Sequence, residues 1–347
     1  MAALLGRGLR HSLSLLAFAA FAAHAGPAAP ASTAPEALPA DAVARLDATQ
    51  WMERMHQAAL NRSYTGTFVV LSSSGAMASS RIWHARDGRQ QIERVDALNG
   101  TPRTVFRRDD EVRTFLPQAR TVRLERRDAL GRFPSTASSP EGVDLTRYYA
   151  ARALGQERVA GFVADVVWFR PQDGMRFGYR IWSERSSGLA VKLQTLAPDG
   201  RVLEQAAFSQ LDLDTPVPMD HLAQAMDNLA GYRVVPVALE PTTAAAEGWA
   251  LREPVPGFVP VNCYRRRAQG PEGEGMLQCI YSDGLATVSL FLERFDASRH
   301  APVTQQMVLG ATHTLGQRIT QDTWLTAVGE VPAQTLKQFA RALQRTR

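Results

Sequence analysis

Residues 64–126 have the sequence YTGTFVVLSSSGAMASSRIWHARDGRQQIERVDALNGTPRTVFRRDDEVRTFLPQARTVRLER. Asp87-Gly88 and Asn99-Gly100 tolerate the positive φ angles of tight hairpins, and apolar residues alternate with polar ones between such turns. Strands separated by so few residues leave no room for crossover helices and pair antiparallel. The stretch therefore predicts a meander, one broad sheet around which the chain is arranged. Its predicted strands are Tyr64–Leu71, Arg81–Arg86, Gln90–Val95, Thr104–Arg108, Val112–Leu116 and Thr121–Arg126.

The N-terminus, residues 1–25, has the pattern of a signal peptide. Two arginines precede the apolar run Leu13–Ala23, and Ala23-His24-Ala25 is a small-x-small cleavage site. The apolar run is about half as long as the ~20 residues that a membrane-spanning helix needs. The sequence thus predicts a soluble protein exported to the periplasm, in which the Ala- and Pro-rich residues 26–40 form a disordered leader.

The composition is that of a globular protein, with 45% hydrophobic and 21% charged residues. About 320 residues remain after the signal, which is more than one core usually holds, so two domains are expected. The formal net charge of +5 is carried almost wholly by Arg, which binds phosphates and carboxylates bidentately. An anionic partner is one interpretation, and a genomic preference for Arg is the other. Nucleic acid is not an expected partner, because the chain is exported and carries no binding motif for it.

The first domain is predicted to span residues 41–215. A helix over 41–61 places Trp51 and Met55 on one apolar stripe, and a second helix is predicted over 144–154. The expected fold class is α+β, with a large curved antiparallel sheet that forms a half-barrel and carries helices on its concave face. Its inner face is either filled by its own side chains or left as an apolar groove, and the sequence leaves both open. Further strands are predicted at Ala164–Arg170, Arg176–Trp182, Ala190–Thr195 and Val202–Leu211.

A second domain is predicted after a linker. Residues 216–248 combine several prolines with an Ala-rich run, which is typical of a linker, and include a helix-like piece at 221–229. Residues 249–347 are then expected to form a smaller α+β domain, closed by a helix that starts at Pro332. Its predicted strands are Val261–Tyr264, Met276–Tyr281, Ala286–Arg294, Ala311–Leu315 and Thr323–Val328.

Both cysteines, Cys263 and Cys279, fall on strands that are predicted to be adjacent. In an oxidising compartment such a pair is expected to form a disulfide. The chain has no Cys-x-x-Cys motif and no paired His, so neither a catalytic redox pair nor a metal site is expected. The predicted role of the bond is structural.

The motifs of common catalytic sites are absent from the sequence. It contains no His-x-x-x-His pair, no Gly-x-Ser-x-Gly elbow, no Gly-rich phosphate loop and no dinucleotide fingerprint. The sequence therefore predicts that the protein is not an enzyme and that it needs no metal and no cofactor.

Five segments of the sequence carry a resemblance to a known family: GQERVAG (155–161), RPQDGMRFGYRIW (170–182), LEQ (203–205), YSDGL (281–285) and VGEVPAQT (328–335). No single segment is diagnostic, but their order along the chain is specific and covers most of it. Together they resemble the RseB/MucB family of periplasmic regulators of the envelope-stress sigma factor, sigma-E.

The resemblance implies an N-terminal domain similar to the lipoprotein carriers LolA and LolB, which agrees with the predicted half-barrel. It also implies a C-terminal domain that helps to bind the periplasmic domain of a membrane anti-sigma factor. Such a protein shields its partner from the site-1 protease, so the sigma factor stays silent, and lipopolysaccharide or lipoprotein acyl chains loosen the complex. The cysteine pair departs from the family pattern, which makes a redox influence on release a further hypothesis. The sequence leaves open whether the protein is a homo-oligomer.

Two sets of site residues follow from strand alternation and from the resemblance. A filled core is the alternative for the first set, and a solvated hairpin tip is the alternative for the arginines of the second. The lipid groove is predicted to be lined by Phe68, Trp83, Phe106, Phe115, Trp168 and Trp182, with Arg103, Arg107, Arg123 and Arg126 at its mouth. The partner is predicted to contact Tyr281, Leu285, Arg265, Arg266 and Arg267.

A periplasmic carrier of lipoproteins or lipids, without a regulatory partner, is the alternative function. The second domain argues against it, because a carrier needs only the half-barrel. Deleting the chain after Trp249 would separate the two, since a carrier keeps lipid transfer whereas a regulator loses partner binding.

Overall fold

A computed structural model describes residues 39–43, 45–88, 90–126, 143–266, 275–300 and 302–346. The predicted signal peptide (1–25), the predicted leader up to residue 38 and Arg267 lie outside these residues. Ala37–Arg347 belong to one compact unit. Within the described ranges, no helix has both the length and the apolar character needed to cross a bilayer.

Most of the described residues lie in strands. The α-helices are α1 (Ala40–Val43), α2 (Ala48–Asn61), α3 (Met219–Asp227) and α4 (Ala333–Ala342). The strands are β1 (Tyr64–Ser72), β2 (Met77–Arg86), β3 (Gln91–Ala97), β4 (Thr104–Arg108), β5 (Glu111–Leu116), β6 (Thr121–Arg126), β7 (Tyr149–Val159), β8 (Phe162–Pro171), β9 (Gly178–Glu184), β10 (Ala190–Leu196), β11 (Val202–Leu213), β12 (Arg233–Pro236), β13 (Leu239–Thr242), β14 (Trp249–Leu251), β15 (Val259–Arg266), β16 (Met276–Ser282), β17 (Thr287–Arg294), β18 (Gln305–Leu309), β19 (Thr312–Arg318), β20 (Thr323–Gly329) and β21 (Leu343–Arg345).

The large sheet has the strand order β12-β6-β5-β4-β3-β2-β1-β11-β10-β9-β8-β7. Its neighbouring strands are antiparallel except β12, which runs parallel to β6. Strands β1 to β6 form the predicted meander, and Gly88 and Gly100 adopt the positive φ angles, 86° and 72°, that their turns require. The predicted fold class, a large curved antiparallel sheet with helices packed on it and a smaller α+β part, is confirmed.

The predicted helix over residues 144–154 is wrong. The chain makes a single 3-10 turn at Leu145–Arg147, where the Asp144 side chain accepts a hydrogen bond from the Thr146 amide over 3.0 Å, and then enters β7. The helical spacing of Leu145 and Tyr149 is real, since both are buried. Pairing of β7 with β8 overrides the helix propensity of this Ala-rich segment, and Gly155, with a φ of 102°, forms a bulge that no helix accommodates.

Two helices cover different parts of the large sheet. Helix α2 is capped by Asp47, whose carboxylate accepts a hydrogen bond from the Gln50 amide over 2.8 Å. Its buried side chains Trp51 and Met55 pack with residues of β7 to β10. Helix α3 packs on the meander instead, mainly through Leu222 and Met226. Burying one such side chain contributes about 1.5–3 kcal/mol, so each helix is held by a few large apolar groups.

The small sheet has the strand order β13-β15-β16-β17-β20-β19-β18, and α4 packs on it through Leu336 and Phe339. A separate pair, β14 and β21, lies beside it. Residues 216–248, predicted as a linker, contain α3 and β12 on the large sheet and β13 on the small one. The predicted domain boundaries remain predictions.

Candidate functional site

The two sheets meet where the loop at 172–177, between β8 and β9, contacts the turn at 283–286, between β16 and β17. Arg176 and Asp283 have fully buried side chains, and Arg176 Nε lies 2.6 Å from Asp283 Oδ2. Tyr149 Oη donates a hydrogen bond to the same oxygen over 3.0 Å. Arg176 also donates to the carbonyl of Pro256 over 2.7 Å and to Asp173. We call these five residues the joint.

The joint keeps a charged pair out of water without leaving either charge unsatisfied. Burial alone would lower the pKa of Arg176, but its interactions with Asp283, Tyr149 and Asp173 together outweigh burial and raise the pKa above its ordinary value. Burial, together with the Asp283 charge, raises the pKa of Tyr149 well above its usual range, so its hydroxyl stays a donor. The other oxygen of Asp283 accepts from the amides of Leu285 and Ala286 over 2.9 and 2.7 Å. The arrangement is therefore a complete buried network.

Apolar side chains cross between the sheets on either side of this pair. Leu285, on the turn of the small sheet, packs against the core that α2 forms with the large sheet. Met175, on the loop of the large sheet, packs against the core of the small sheet. Thr335 Oγ1, in the first turn of α4, donates to the Met175 carbonyl over 2.6 Å. Each sheet thus contributes one apolar side chain to the hydrophobic core of the other.

A second contact joins the turn between β18 and β19 to the large sheet. A Cβ added to Gly310 would lie 2.9 Å from Ser72 Cβ and 3.2 Å from Glu204 Oε2, so the backbone approaches closely there. Burial and the nearby charge of Glu330 raise the pKa of Glu204 to about 7. An acidic group that titrates near neutral pH therefore lies between the sheets.

A cavity of about 960 Å³, mostly apolar, opens beside the small sheet. Strands β13, β14 and β15 form most of its wall, and Asp110 and Arg126 of the large sheet also contribute. Cys263 lies in the wall and is bonded to Cys279 with an S–S distance of 2.02 Å, which confirms the predicted disulfide. Tyr281 is the member of the predicted partner set that lines this cavity.

The structure divides the six predicted groove aromatics between different clusters. Phe106 and Phe115 lie under α3, with ring centroids 5.5 Å apart, and Trp83 packs at the edge of the same cluster. Phe68 and Trp182 belong to a second cluster.

Trp182 Nε1 donates to Glu157 over 2.8 Å. Trp168 is half-buried and pairs across the strands with Arg180. The structure therefore does not bring the six side chains together in one groove, and their role in lipid binding stays a prediction.

The predicted arginines are also spread over several surfaces. Arg123 Nη2 lies 3.4 Å from Glu125 Oε1, and Arg126 Nε lies 3.7 Å from Asp110 Oδ2 beside the cavity. Arg103 is exposed, whereas Arg107 is half-buried.

The predicted partner residues occupy three places. Tyr281 is buried with its ring 5.1 Å from that of Phe339, in addition to lining the cavity. Leu285 lies at the joint. Arg265 Nε lies 3.2 Å from Glu247 Oε1, and Arg266 ends β15.

Sequence reasoning missed Arg176, Asp283 and Tyr149. A signal for two of them was present, because Arg176 lies within 170–182 and Asp283 within 281–285, two of the segments that carry the family resemblance. Thr335 and Glu204 lie within two others. Four of the five segments therefore meet where the sheets contact each other. Among the described residues, no group of three or more His, Cys, Asp or Glu is arranged to hold a metal ion.

Comparison with known proteins gives one consistent result over most of the chain. The model of the MucB/RseB N-terminal domain matches residues 47–226, and that of the MucB/RseB C-terminal domain matches residues 243–344. The sigma factor AlgU regulatory protein MucB of Pseudomonas aeruginosa is 29% identical over 320 residues, which are 89% of this chain and 93% of that protein. The sigma-E factor regulatory protein RseB of Escherichia coli K12 is 25% identical over 305 residues, 88% of this chain and 93% of that protein.

Comparison with solved structures leads to the same family. A crystal structure of MucB in complex with MucA(peri) is similar with a TM-score of 0.65 and 27% identity, and it covers 87% of this chain and all of that one. A structure of the Pseudomonas aeruginosa MucA/MucB complex has a TM-score of 0.65 and 26% identity, covering 86% of this chain and 99% of that one. Since the two family models together match more than half of its residues, the chain belongs to the MucB/RseB family.

Proposed function

We propose that this chain is a periplasmic negative regulator of an envelope-stress sigma factor, which binds the periplasmic region of a membrane anti-sigma factor. The observation that carries the proposal is the similarity of 87% of the chain to MucB in complex with MucA(peri). Two further relatives are named as regulatory proteins of sigma factors. By binding, the chain blocks site-1 proteolysis of the partner, because a protease needs its substrate segment exposed and extended.

The cavity beside the small sheet is the partner site that we favour. It is lined by Tyr281, and Arg265 of β15 lies next to the wall residue Tyr264. The Arg265 side chain is 49% exposed while it is paired with Glu247, so an acidic group of a bound peptide can compete for it. An apolar cavity flanked by an arginine suits a peptide that combines an apolar anchor with a carboxylate.

Lipid sensing is the second part of the proposed function. Lipopolysaccharide or lipoprotein acyl chains, bound on the large sheet, would lower affinity for the anti-sigma factor. Such coupling requires that the lipid binds the partner-free form more tightly than the complex.

The test is a binding titration of the chain with the periplasmic region of its cognate anti-sigma factor, with and without lipopolysaccharide fragments. We expect binding that the fragments weaken. Arg265→Glu should weaken it at least tenfold, since one charge-assisted hydrogen bond is worth about 1.5–3 kcal/mol and each 1.4 kcal/mol is a factor of ten. Arg201→Glu is the matched control, because Arg201 is an exposed arginine in the turn between β10 and β11. Absence of binding under every condition would contradict the proposal.

The alternative, a carrier without a regulatory partner, is tested on the full chain by lipid transfer between vesicles. A truncation after Trp249 is a poorer test than the sequence suggested, because it would uncover Arg176 and remove Asp283. Lipid transfer together with a failure to bind any anti-sigma factor would favour the carrier.

A further inference from the structure

The second contact between the sheets covers the side chain of Glu204 with a backbone turn. A Cβ added to Gly310, in the turn between β18 and β19, would lie 3.2 Å from Glu204 Oε2 and 3.4 Å from the Leu203 carbonyl oxygen. Buried apolar residues from both sides of the contact pack together beside this point: Phe177, Ala197, Leu203 and Ala311. The carboxyl group of Glu204 therefore lies at the edge of a small hydrophobic contact between the sheets.

The surroundings of Glu204 do not stabilise a negative charge. Among the residues that the structure describes, no N–H or O–H group donates a hydrogen bond to its carboxyl group, and no Arg, Lys or His forms an ion pair with it. Glu184 shows the opposite arrangement, because it accepts hydrogen bonds from the amides of Ser186 and Ser187 over 3.1 and 2.6 Å. Burial would raise the pKa of Glu184, but these bonds lower it below its ordinary value. Glu184 is thus held as a carboxylate, whereas the site of Glu204 favours the neutral acid.

The charge that acts on Glu204 from the small sheet has the same sign as its own. Glu330 directly follows β20, and burial together with the charge of Glu330 raises the pKa of Glu204 to about 7. The neighbours of Glu204 across the strands of the large sheet are uncharged: Ser72 and Thr195. Arg201, in the turn that precedes β11, is exposed and paired with Asp199. Ionisation of Glu204 therefore places a half-buried carboxylate close to a like charge.

Two further ionisable groups lie at this contact, and neither supplies a positive charge near pH 7. Tyr179, in the same cross-strand row as Glu204, is buried, and burial and the charge of Glu330 raise its pKa well above the usual range. His313 of β19 packs edge-on against Phe177, with ring centroids 5.6 Å apart. Burial lowers the pKa of His313, so its ring is neutral near pH 7. Neither group can offset the charge of an ionised Glu204.

We propose that the protonation state of Glu204 controls the second contact between the sheets. The neutral side chain allows the turn at Gly310 to pack on β11, and the ionised side chain separates the turn from β11. The physical reason is that a covered carboxylate without a partner is costly, whereas separation gives it water. The joint still links the two sheets, so the small sheet rotates about the joint.

The pH range of this change follows from the two pKa values of Glu204. The closed contact is favoured fully below pH 4.5, the ordinary pKa of the side chain, and progressively less as the pH rises to about 7. This pKa difference corresponds to at most about 300-fold in the closing equilibrium, because each pH unit is a factor of ten. Water around the half-buried side chain screens part of the effect, so we expect about tenfold or more between pH 5 and pH 8.

The test measures the distance between two nitroxide spin labels by electron paramagnetic resonance on the purified full chain. The labels are placed on cysteines introduced at Met77 and Val308, which are 60% and 61% exposed and lie on opposite sides of the contact. The native cysteines are bonded to each other and do not react with the label. We expect one short distance at pH 5 and a longer second distance at pH 8, with the ratio of open to closed molecules raised about tenfold or more.

Three variants distinguish Glu204 from other titrating groups. Glu204→Gln should keep the short distance at pH 8, and Glu330→Gln should reduce the pH response because it removes the like charge. Glu253→Gln is the matched control, since Glu253 is an exposed glutamate in the loop between β14 and β15 and should leave the response unchanged.

Two results would overturn the proposal. One is the same distance distribution at pH 5 and pH 8 in the parent chain. The other is a pH response that both Glu204→Gln and Glu330→Gln retain in full. Glu330 is exposed, so its replacement provides this test even if the Glu204 variant does not fold. Because no partner is added, the outcome is independent of whether the chain binds an anti-sigma factor.

Discussion

Replacing Asp283 by Asn removes the negative charge of the joint and changes little else. The Oδ1 atom of Asp283 holds the turn by accepting the amides of Leu285 and Ala286, and an Asn oxygen in that place keeps both bonds. The atom that changes is Oδ2, which accepts from Arg176 Nε and Tyr149 Oη. An Asn amide there presents N–H groups to two donors. The substitution therefore leaves the buried Arg176 charge with Asp173 as its remaining carboxylate partner.

The expected cost is large because both side chains are fully buried. Removing one partner of a buried ion pair costs about 3–5 kcal/mol. Native proteins have unfolding free energies of only about 5–15 kcal/mol, so the loss is at least about a fifth of the total. Removing the buried charge as well, as in Arg176→Met with Asp283→Asn, should recover part of it, since the Asn oxygen still holds the turn and no buried guanidinium remains.

Urea unfolding followed by Trp fluorescence and by circular dichroism measures this loss. Two probes are needed because the two sheets can unfold at different urea concentrations once the joint between them is lost. Asp199→Asn is the matched control: Asp199 pairs with Arg201 in an exposed turn, with side-chain exposures of 56% and 72%. Exposed pairs contribute little, so the control midpoint should stay near that of the parent chain.

The reasoning is refuted if Asp283→Asn shifts the midpoint no more than Asp199→Asn does. It is also refuted if the Arg176→Met, Asp283→Asn double variant is less stable than Asp283→Asn alone, because the second change should remove the buried charge that Asp283 no longer neutralises.

Three further predictions concern the rest of the molecule. Burial and the charge of Glu330 raise the pKa of Glu204 to about 7, so the folded protein holds a proton that the unfolded chain releases at lower pH. The contribution of this proton to the unfolding free energy is present at pH 5 and is lost as the pH rises through 7. Thermal stability should therefore fall from pH 5 to pH 8, and this fall should be smaller in Glu204→Gln. Replacing Cys263 and Cys279 by Ser should lower the unfolding free energy by about 3 kcal/mol in urea titrations, because the bond closes a loop of 16 residues; an unchanged midpoint would mean that the bond does not form. Phe115→Ala should cost about 3–5 kcal/mol in the same assay, because its ring is buried under α3; a negligible loss combined with weaker lipid binding would instead favour the predicted groove.

Local sequence was enough for the meander. Strands β4 and β6 have the bounds that alternation and turn residues predicted, because hairpin pairing involves neighbours in the chain. The first half of β7 was predicted as part of a helix over 144–154 from the spacing of Leu145, Tyr148 and Tyr149, and its strand state depends on pairing with β8. Propensity is a weak prior where tertiary contacts decide.

The environment of the aromatic residues depended on distant segments. Alternation placed Phe106 and Phe115 on one face of the meander, but the helix that covers this face, α3, begins more than a hundred residues later, at Met219. For the same reason, Arg176 and Asp283 could not be recognised as a pair. They are 107 residues apart in sequence, and nothing near either one indicates that its charge is buried.

Under the proposed function, the joint limits how a lipid signal can reach the partner site. If the signal opens the joint, it must offset roughly the cost of separating the buried pair, about 3–5 kcal/mol. One acyl chain contributes ~0.8 kcal/mol per buried CH₂, so burying about four to six CH₂ groups is sufficient. Asp283→Asn has already lost the pair and should release the anti-sigma region at a lower lipid concentration than the parent chain does. If both release at the same concentration, the lipid does not act through the joint, and the second contact at Gly310 and Glu204 is the next one to test.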